Sequence, residues 1–254
     1  MKKVAVANRK GGVGKSTTAA ALMAGLSLKG YKVLAVDLDG QRNLTRSIGA
    51  EPEGKSIMGV LMDEIEPREA IQKTSSGFII PSSKALSGAD VVITQKGKDV
   101  RLRDALSKLE EDFDFCIIDC PPALGILTVN ALCAADCVII PAQADIFSLD
   151  GIEDMEELIR PVRERRNERL TVQGVLLTRY SPRSILSRDA AKLAADMAAK
   201  LGTSLYRATI RDSVIIKEAQ ISRQSLFEYA PKANVTEDYR DFIKEFLKRI
   251  KEAK

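Results

Sequence analysis

A glycine-rich segment, RKGGVGKST (9–17), directly follows the first apolar run of the chain, KVAVAN (3–8). Strand, glycine-rich turn and helix in this order bind phosphate, because the glycines let backbone N–H groups approach the oxygens and the helix N-terminus adds a positive dipole end. The segment meets the pattern G-x-x-x-x-G-K-[ST] from Gly14 onward, but Arg9 stands in the place of the first glycine and Lys10 follows it. The chain is therefore expected to hold a nucleotide site with an unusual second lysine.

Three residues of this segment have individual roles in the prediction. Lys15 is expected to neutralise the β- and γ-phosphates, and the Ser16 hydroxyl to bind Mg²⁺. Thr17 adds a further phosphate contact from the first helical turn. The predicted nucleotide-binding residues are Lys10, Gly11, Gly12, Val13, Gly14, Lys15, Ser16 and Thr17.

Apolar strand-like runs alternate with helix-like segments along the rest of the chain. Continuous Val/Ile/Leu runs are typical of strands that are covered on both faces, and strand–helix repetition favours a parallel sheet. The predicted fold is a three-layer α/β domain spanning 1–254, with a mostly parallel twisted sheet and helices on both faces. Strands are predicted at 3–8, 32–39, 77–82, 115–120, 137–142, 172–180 and 204–210. Helices are predicted at 15–29, 97–111, 123–134, 151–167 and 184–201.

Carboxylates follow two of the predicted strands. FCIIDC (115–120) contains Asp119, and VDLD (36–39) contains Asp37 and Asp39. Because ligands of such sheets bind at the carboxyl ends of the strands, all three are expected beside the glycine-rich loop. Asp119 and Asp37 are predicted to hold the metal, in both cases through water, and Asp39 to orient the attacking water. Each could instead cap a helix or a turn.

Composition excludes several classes of chemistry. The chain has no histidine, so histidine-based triads and histidine–zinc sites are impossible. Its four cysteines form two C-x-x-x-C pairs, and strand spacing would place the partners about 13 Å apart, too far for one metal ion. They are interpreted as buried apolar side chains: Cys116, Cys120, Cys133 and Cys137. With no signal segment and no apolar run of membrane-spanning length, the chain is expected to be cytoplasmic.

Positive charge is concentrated in the C-terminal half. Residues 160–223 contain 14 Lys/Arg against 6 Asp/Glu, whereas the whole chain carries +4. Such a concentration suggests a polyanionic partner, although a solvated helix face would have the same composition.

KGGVGKST (10–17) resembles the deviant Walker A loop of the ParA/MinD family of partition and positioning ATPases. The resemblance extends to VDLDGQRNLT (36–45), IIDCPPALGILTVNAL (117–132), VIIPAQADIFSLDGIEDM (138–155) and two C-terminal segments, GVLLTRYSPRSILS (174–187) and FEYAPKANVTEDY (227–239). The nearest branch is the small ParA type, similar to Soj.

The resemblance implies a switch driven by ATP and Mg²⁺. In the family the lysine at the place of Lys10 reaches the partner's phosphates across an ATP-sandwiched homodimer, so Lys10, Lys15 and Asp39 are the implied catalytic residues. The implied partners are double-stranded DNA, bound without sequence preference, and a ParB-like centromere-binding adaptor that stimulates slow hydrolysis. The ATP state is then expected on the nucleoid, where it segregates a plasmid, a chromosome or other cargo.

The chain departs from the family at several positions. Gly40 replaces a usual proline and is expected to loosen the turn, while Arg42 replaces a usual glycine and is expected to add a cation near the dimer face. Arg9 stands in place of a frequent glutamine. Ile215 replaces an arginine that contacts DNA in many relatives. Substitute DNA contacts are therefore predicted on charge alone: Arg183, Arg188, Lys217 and Arg223.

The C-terminal segment offers an alternative. Residues 237–254 place an apolar stripe at helical spacing, which fits either a helix docked on the domain over about 234–252 or a MinD-like helix lying on a membrane. Six basic against five acidic residues give little attraction to anionic lipid, so docking is favoured. Two further alternatives are a nitrogenase-iron-protein-like reductase, which would need exposed cysteines, and a scaffold that binds nucleotide without hydrolysing it.

Overall fold

The computed structural model describes residues 1–51, 54–93 and 97–252, and within them the backbone forms one seven-stranded sheet. The predicted unit 1–254 therefore includes residues 52–53, 94–96 and 253–254, which lie outside the described part of the chain. The strand order is β3-β4-β2-β5-β1-β6-β7, and every neighbouring pair is parallel except β3 with β4. The strands are β1 Lys2–Val6, β2 Val33–Asp37, β3 Gln72–Thr74, β4 Gly77–Ile80, β5 Phe115–Asp119, β6 Cys137–Gln143 and β7 Thr171–Thr178.

Helices cover both faces of the sheet, which confirms the predicted fold class. Val4 and Val6 point into one apolar cluster and Ala5 into the other, as successive side chains of a strand must. The α-helices are α1 Lys15–Leu28, α2 Asn43–Ser47, α3 Ile57–Leu61, α4 Ala89–Val92, α5 Arg101–Ser107, α6 Ile126–Ala134, α7 Ile146–Arg165, α8 Ile185–Lys200, α9 Val214–Ile221, α10 Leu226–Tyr229 and α11 Asn234–Glu252, and 3₁₀ helices lie at Pro67–Ala70 and Lys84–Gly88.

One predicted strand was wrong. Residues 204–210 run beside β7, but only Leu205 forms an isolated bridge, with Val175. The N–H groups of Arg207 and Ala208 donate to the Glu245 carboxylate on α11, at 2.9 and 3.1 Å to Oε2, so they are not available to a neighbouring strand. The short antiparallel edge strand β3, polar in all its three positions, carries no apolar periodicity and was missed.

The register of the central strands brings the predicted carboxylates together. Asp119 at the end of β5 lies opposite Val6 of β1 on one side and opposite Asp37 of β2 on the other. The glycine-rich loop leaves β1 at this same edge. Parallel pairing alone therefore places the loop and both aspartates at one rim of the sheet.

The C-terminal helix α11 is docked on the sheet through its apolar stripe. Its core-facing side chains lie in the same apolar cluster as α1, and a Cβ on Gly25 of α1 would come within 2.2 Å of the Ile243 side chain. None of the helices in the described ranges has the length and apolarity needed to cross a bilayer. The stripe that the membrane alternative required is buried, so that alternative has no support: Tyr239, Phe242, Ile243, Phe246 and Ile250 are at most 9% exposed, and Leu247 is partly buried.

Candidate nucleotide-binding site

Two hydrogen bonds from the neighbouring strands hold the glycine-rich loop in place. Gly12 and Gly14 have φ angles of 77° and 91°, a left-handed conformation that favours glycine. The Gln143 side-chain amide donates to the Gly12 carbonyl at 2.8 Å, and the Thr178 hydroxyl donates to the Val13 carbonyl at 2.9 Å. These two bonds attach carbonyls of the loop to the ends of β6 and β7. Neither Gln143 nor Thr178 was identified from sequence, because Gln143 follows the strand predicted at 137–142 and Thr178 lies within the strand predicted at 172–180.

Lys15 lies at the base of the cavity, 7% exposed, at the start of α1. Its Nζ donates to the Lys10 carbonyl at 2.9 Å. Burial lowers the pKa of the ammonium, and the negative charges of Asp119 and Asp39 oppose that shift. Among the described residues this carbonyl is its one hydrogen-bond partner, and a largely buried cation held in this way is well suited to exchange the carbonyl for a phosphate oxygen.

The contacts of Lys10 in this structure are all made within its own chain, to residues near the loop. Its Nζ lies 3.5 Å from a carboxylate oxygen of Asp145, and its backbone N–H donates to the Asn8 side chain at 2.9 Å. Arg9 also pairs within the chain, with Asp154 at 2.6 Å. Lys10 and Arg9 are thus both paired with carboxylates of one segment: Asp145 directly precedes α7, and Asp154 lies within it.

Asp119 is fully buried, and among the described residues neither of its carboxylate oxygens has a hydrogen-bond partner. Burial raises the pKa of this carboxyl well above its usual range, and the charge of Asp37 raises it further. The nearby Ser16 hydroxyl and Lys15 ammonium act in the opposite direction. A buried acid with two unpartnered oxygens beside a serine hydroxyl has the donor set that Mg²⁺ and its bound water prefer.

Asp37 is also fully buried, but its oxygens are already engaged. They accept hydrogen bonds from the Asp39 N–H at 3.0 Å, the Thr45 N–H at 2.8 Å and the Thr45 hydroxyl at 2.7 Å. Burial raises the pKa of Asp37 to about 6 despite these bonds. Asp37 thus connects the loop after β2 to α2. It lies beside Asp119, its partner in the pairing of β2 with β5.

Asp39 lies on the wall of a cavity of about 670 Å³ above the loop. One of its carboxylate oxygens accepts the Gln41 N–H at 2.9 Å, and its backbone carbonyl accepts the Ser82 hydroxyl at 2.6 Å. The same cavity is lined by Lys15, Ser16 and Thr17, so the structure brings the predicted water-orienting acid beside the predicted phosphate site.

The structure shows what surrounds the two departures after β2. At Gly40 a Cβ would lie 2.6 Å from the Ser87 hydroxyl and 3.1 Å from its backbone nitrogen, so the 3₁₀ helix Lys84–Gly88 packs directly against this residue. Arg42 has a φ of 62°, which explains why glycine is usual at this position. The Arg42 side chain is 8% exposed and adds little cationic surface.

The predicted DNA contacts lie in two places. Arg183 and Arg188 are exposed at the start of α8, whereas Lys217 and Arg223 belong to α9 and its end. Lys217 lines the nucleotide cavity itself. Ile215, at the position of the usual arginine, is partly buried against the apolar cluster that contains α1.

All four cysteines are buried and free, and within the described residues no group of three or more Cys, Asp or Glu side chains is arranged to hold a metal ion. Burial raises the pKa of Cys133 to about 11 and that of Cys116 and Cys137 to about 12. The pKa of Cys120 is shifted in the same direction by burial. The interpretation as apolar side chains is confirmed, and the cluster-holding reductase has no exposed thiol to use.

These pKa shifts predict inert thiols. Because the thiolate is the reactive form, raised pKa values leave almost none of it at pH 7.5, and burial also blocks the reagent. Alkylation of the folded protein by iodoacetamide is expected to be at least about a hundredfold slower than alkylation of the urea-unfolded chain, measured by mass spectrometry. Equal rates in the two states would contradict the buried placement.

Comparison with known proteins agrees with this geometry. The family model described as an AAA domain matches residues 1–172. The chain is 34% identical to the sporulation initiation inhibitor protein Soj of Bacillus subtilis, over 95% of this chain and 96% of Soj. It is 37% identical to the chromosome partitioning protein ParA of Caulobacter vibrioides, over 97% and 94% of the two chains.

Among solved structures, the cobyrinic acid a,c-diamide synthase from Mycobacterium smegmatis, with bound ATP analog and magnesium, superimposes with a TM-score of 0.88. It is 34% identical, and the match covers 100% of this chain and 97% of the M. smegmatis chain. Matches of this length and identity to Soj and ParA show the family: the chain belongs to the ParA/Soj-type partition ATPases of the P-loop class.

Proposed function

We propose that this chain binds and hydrolyses Mg–ATP, forms an ATP-dependent homodimer, and in that state binds double-stranded DNA without sequence preference to segregate a replicon or other cargo. The observation that best supports ATP chemistry is the arrangement at the rim of the sheet. A buried lysine and a serine hydroxyl line a cavity whose wall includes Asp39, and at the same rim lies Asp119, whose buried oxygens have no hydrogen-bond partner among the described residues.

In the proposed reaction each residue has a separate task. Backbone N–H groups of the loop bind the phosphates, and Lys15 exchanges the Lys10 carbonyl for phosphate oxygens. Ser16 and Asp119 would hold Mg²⁺, with Asp37 behind them, and the ion would neutralise charge that develops on the phosphates. Asp39 orients the attacking water from the cavity wall.

The dimer is proposed to depend on Lys10. Its ammonium is held near Asp145 at 3.5 Å in the single chain, with both side chains partly exposed, and such exposed pairs contribute little to stability. Lys10 can therefore leave this pair at low cost when a partner's phosphates are presented. Each nucleotide would then be completed by the other subunit, so that ATP favours the dimer.

DNA contact is proposed for Arg183, Arg188 and Arg223. All three are exposed, and within the described part of the chain none of them forms an ion pair with a carboxylate. Unpaired arginines can bind backbone phosphates without reading bases, and the resulting affinity falls steeply with salt. A ParB-like adaptor is proposed to stimulate hydrolysis and reset the switch.

The M. smegmatis protein is named for amide synthesis, and this chain lacks the groups for the glutamine-dependent form of that reaction. Release of ammonia from glutamine by a cysteine requires an activated thiolate. Here the chain has no histidine to activate one, and its four thiols are buried. Partition activity is the function that the site and the relatives both favour.

The test combines nucleotide state with one substitution. Binding to a random DNA duplex, measured by fluorescence anisotropy, is expected only with ATP or a non-hydrolysable analogue. It is expected to weaken by about 10³-fold between 50 and 200 mM salt if a dimer makes six phosphate contacts. Asp39→Ala is expected to bind ATP normally and to hydrolyse it about a hundredfold more slowly. Its DNA binding with ATP should therefore persist for longer.

The matched control is Asp241→Ala, which removes an exposed carboxylate on α11, far along the chain from the loop. Its hydrolysis and DNA binding should equal those of the unsubstituted protein. DNA binding that ignores nucleotide would contradict the switch, and normal hydrolysis by Asp39→Ala would remove Asp39 from the reaction.

A further inference from the structure

Helix α9 forms one wall of the nucleotide cavity. Lys217, Gln220 and Ile221 line the same space of about 670 Å³ as Lys15 and Asp39. From sequence, Lys217 was predicted to contact DNA because its charge can be read from the sequence, whereas its position in the fold cannot. The fold brings a segment about 200 residues away from the glycine-rich loop against that loop.

The distance between α9 and the loop is fixed by contacts on both sides of Lys217. The Gln220 side-chain amide donates to the Thr17 hydroxyl at 3.1 Å, which ties α9 to the first turn of α1. Ala219 is 2% exposed and packs in the apolar cluster that contains α1. On the other side of Lys217, Ile215 and Ile216 pack, partly buried, against the same cluster. Lys217 therefore projects from a helix anchored beside the phosphate site.

Lys217 lies where two cavities meet. Besides the large cavity, it lines a second one of about 120 Å³ on the other side of the loop, together with Gly12, Thr178 and Tyr239. Thr17 lines both cavities together with Lys217, whereas Asp39 belongs to the lining of the large cavity and not to that of the second one. Lys217 and Thr17 therefore lie on the side of the site where the two cavities adjoin. With Asp39 orienting the attacking water, as proposed above, the terminal phosphate of ATP would lie on the Asp39 side, and a phosphate bound near Thr17 and Lys217 would be one that ADP also carries.

The charges around the large cavity favour an anion. Lys15, Arg46 and Lys217 line it against the single carboxylate of Asp39. In the described ranges Lys217 has no carboxylate within ion-pair distance, and its neighbour Glu218 instead accepts the Tyr229 hydroxyl at 3.4 Å. An unpaired ammonium on the wall of a phosphate cavity gains a charge-assisted hydrogen bond when the phosphate arrives.

We infer that Lys217 is a nucleotide-binding residue that contacts a phosphate common to ADP and ATP, and that it acts in the same subunit as the glycine-rich loop. This inference rests on the proposed ATP binding and adds Lys217 to Lys15 as a cation that binds the nucleotide of its own subunit. It differs from the role of Lys10, which serves the partner's nucleotide. It also removes Lys217 from the DNA contacts.

The experiment measures binding of fluorescent ADP and of a fluorescent non-hydrolysable ATP analogue, without DNA, to three variants and the unsubstituted protein. Lys217→Ala is expected to weaken both nucleotides by about tenfold, the effect of one charge-assisted contact. Lys217→Arg keeps the charge and should bind within about threefold of the unsubstituted protein. Lys192→Ala removes an exposed lysine on α8 and should change nothing. Circular dichroism melts check that each variant is folded.

Three other results are possible, and each would contradict one part of the inference. Unchanged nucleotide affinity in Lys217→Ala, with weaker DNA binding in the ATP state, would overturn the inference and return Lys217 to the DNA surface. Loss of affinity for the ATP analogue alone would overturn the assignment to a shared phosphate. If the unsubstituted protein bound neither nucleotide, the proposed function would fail together with this inference, whereas the first two results leave it standing.

Discussion

Lys15→Ala is expected to weaken nucleotide binding by about 30-fold or more. The ammonium is largely buried at the start of α1 and its pKa is lowered by burial, so little solvent screens its interaction with an incoming phosphate. Removing one partner of a buried charge pair costs about 2–5 kcal/mol, which is roughly a 30-fold loss of affinity at the low end and more than about a thousandfold at the high end. Isothermal titration with ADP and with the ATP analogue measures the loss directly.

The same substitution should leave the fold intact. The Lys15 ammonium donates to the Lys10 carbonyl, and that carbonyl lies in a loop also held by Gln143 and Thr178. Lys29→Ala, just beyond the end of α1 and exposed, is the matched control and should bind nucleotide normally. A Lys15→Ala variant that melts normally and still binds ADP tightly would show that the phosphates lie elsewhere.

The fold and the position of the site follow from patterns that a sequence carries locally. Continuous apolar runs such as FCIID (115–119) identify central strands because both of their faces are covered. Once the strands are parallel, residues that follow them must gather at one edge, and Asp37 and Asp119 do lie opposite each other in register. The loop conformation was equally predictable, since Gly12 and Gly14 adopt the left-handed angles that glycine permits.

What could not be predicted depends on contacts between distant segments. The strand expected at 204–210 has the right composition, but the Glu245 carboxylate takes two of its N–H groups, and nothing local indicates this. The tight turn at Gly40 is set by Ser87, which lies far along the chain in a separate 3₁₀ helix. Lys217 and Gln220 come to the loop through the packing of α9 beside α2 and through the bond from Gln220 to Thr17 of α1. Propensity and periodicity describe a segment, whereas these features belong to pairs of segments.

Phe242→Ala is expected to lower the free energy of unfolding by about 3–5 kcal/mol, the usual cost of truncating a buried phenylalanine. Phe242 is fully buried on α11, and its ring packs at 4.9 Å from Tyr206 and at 6.5 Å from both Tyr239 and Phe246, measured between centroids. Truncation would remove one member of this aromatic group and leave a cavity between α11 and the sheet. For a chain of this length the melting temperature should fall by roughly 10 °C, as followed by circular dichroism.

Lys244→Ala is the matched control, because Lys244 is two residues away on the same helix and exposed. Its melting temperature should change by less than about 2 °C, as expected for a surface substitution. The pair also distinguishes a docked helix from a membrane-binding one. If the apolar stripe were reserved for lipid, Phe242→Ala would melt like Lys244→Ala and would instead lose sedimentation with anionic vesicles. A large loss of stability with no vesicle binding in either variant means that the aromatic side chains of α11 belong to the core. The proposed ATP-dependent binding to DNA must then use a different surface of the protein.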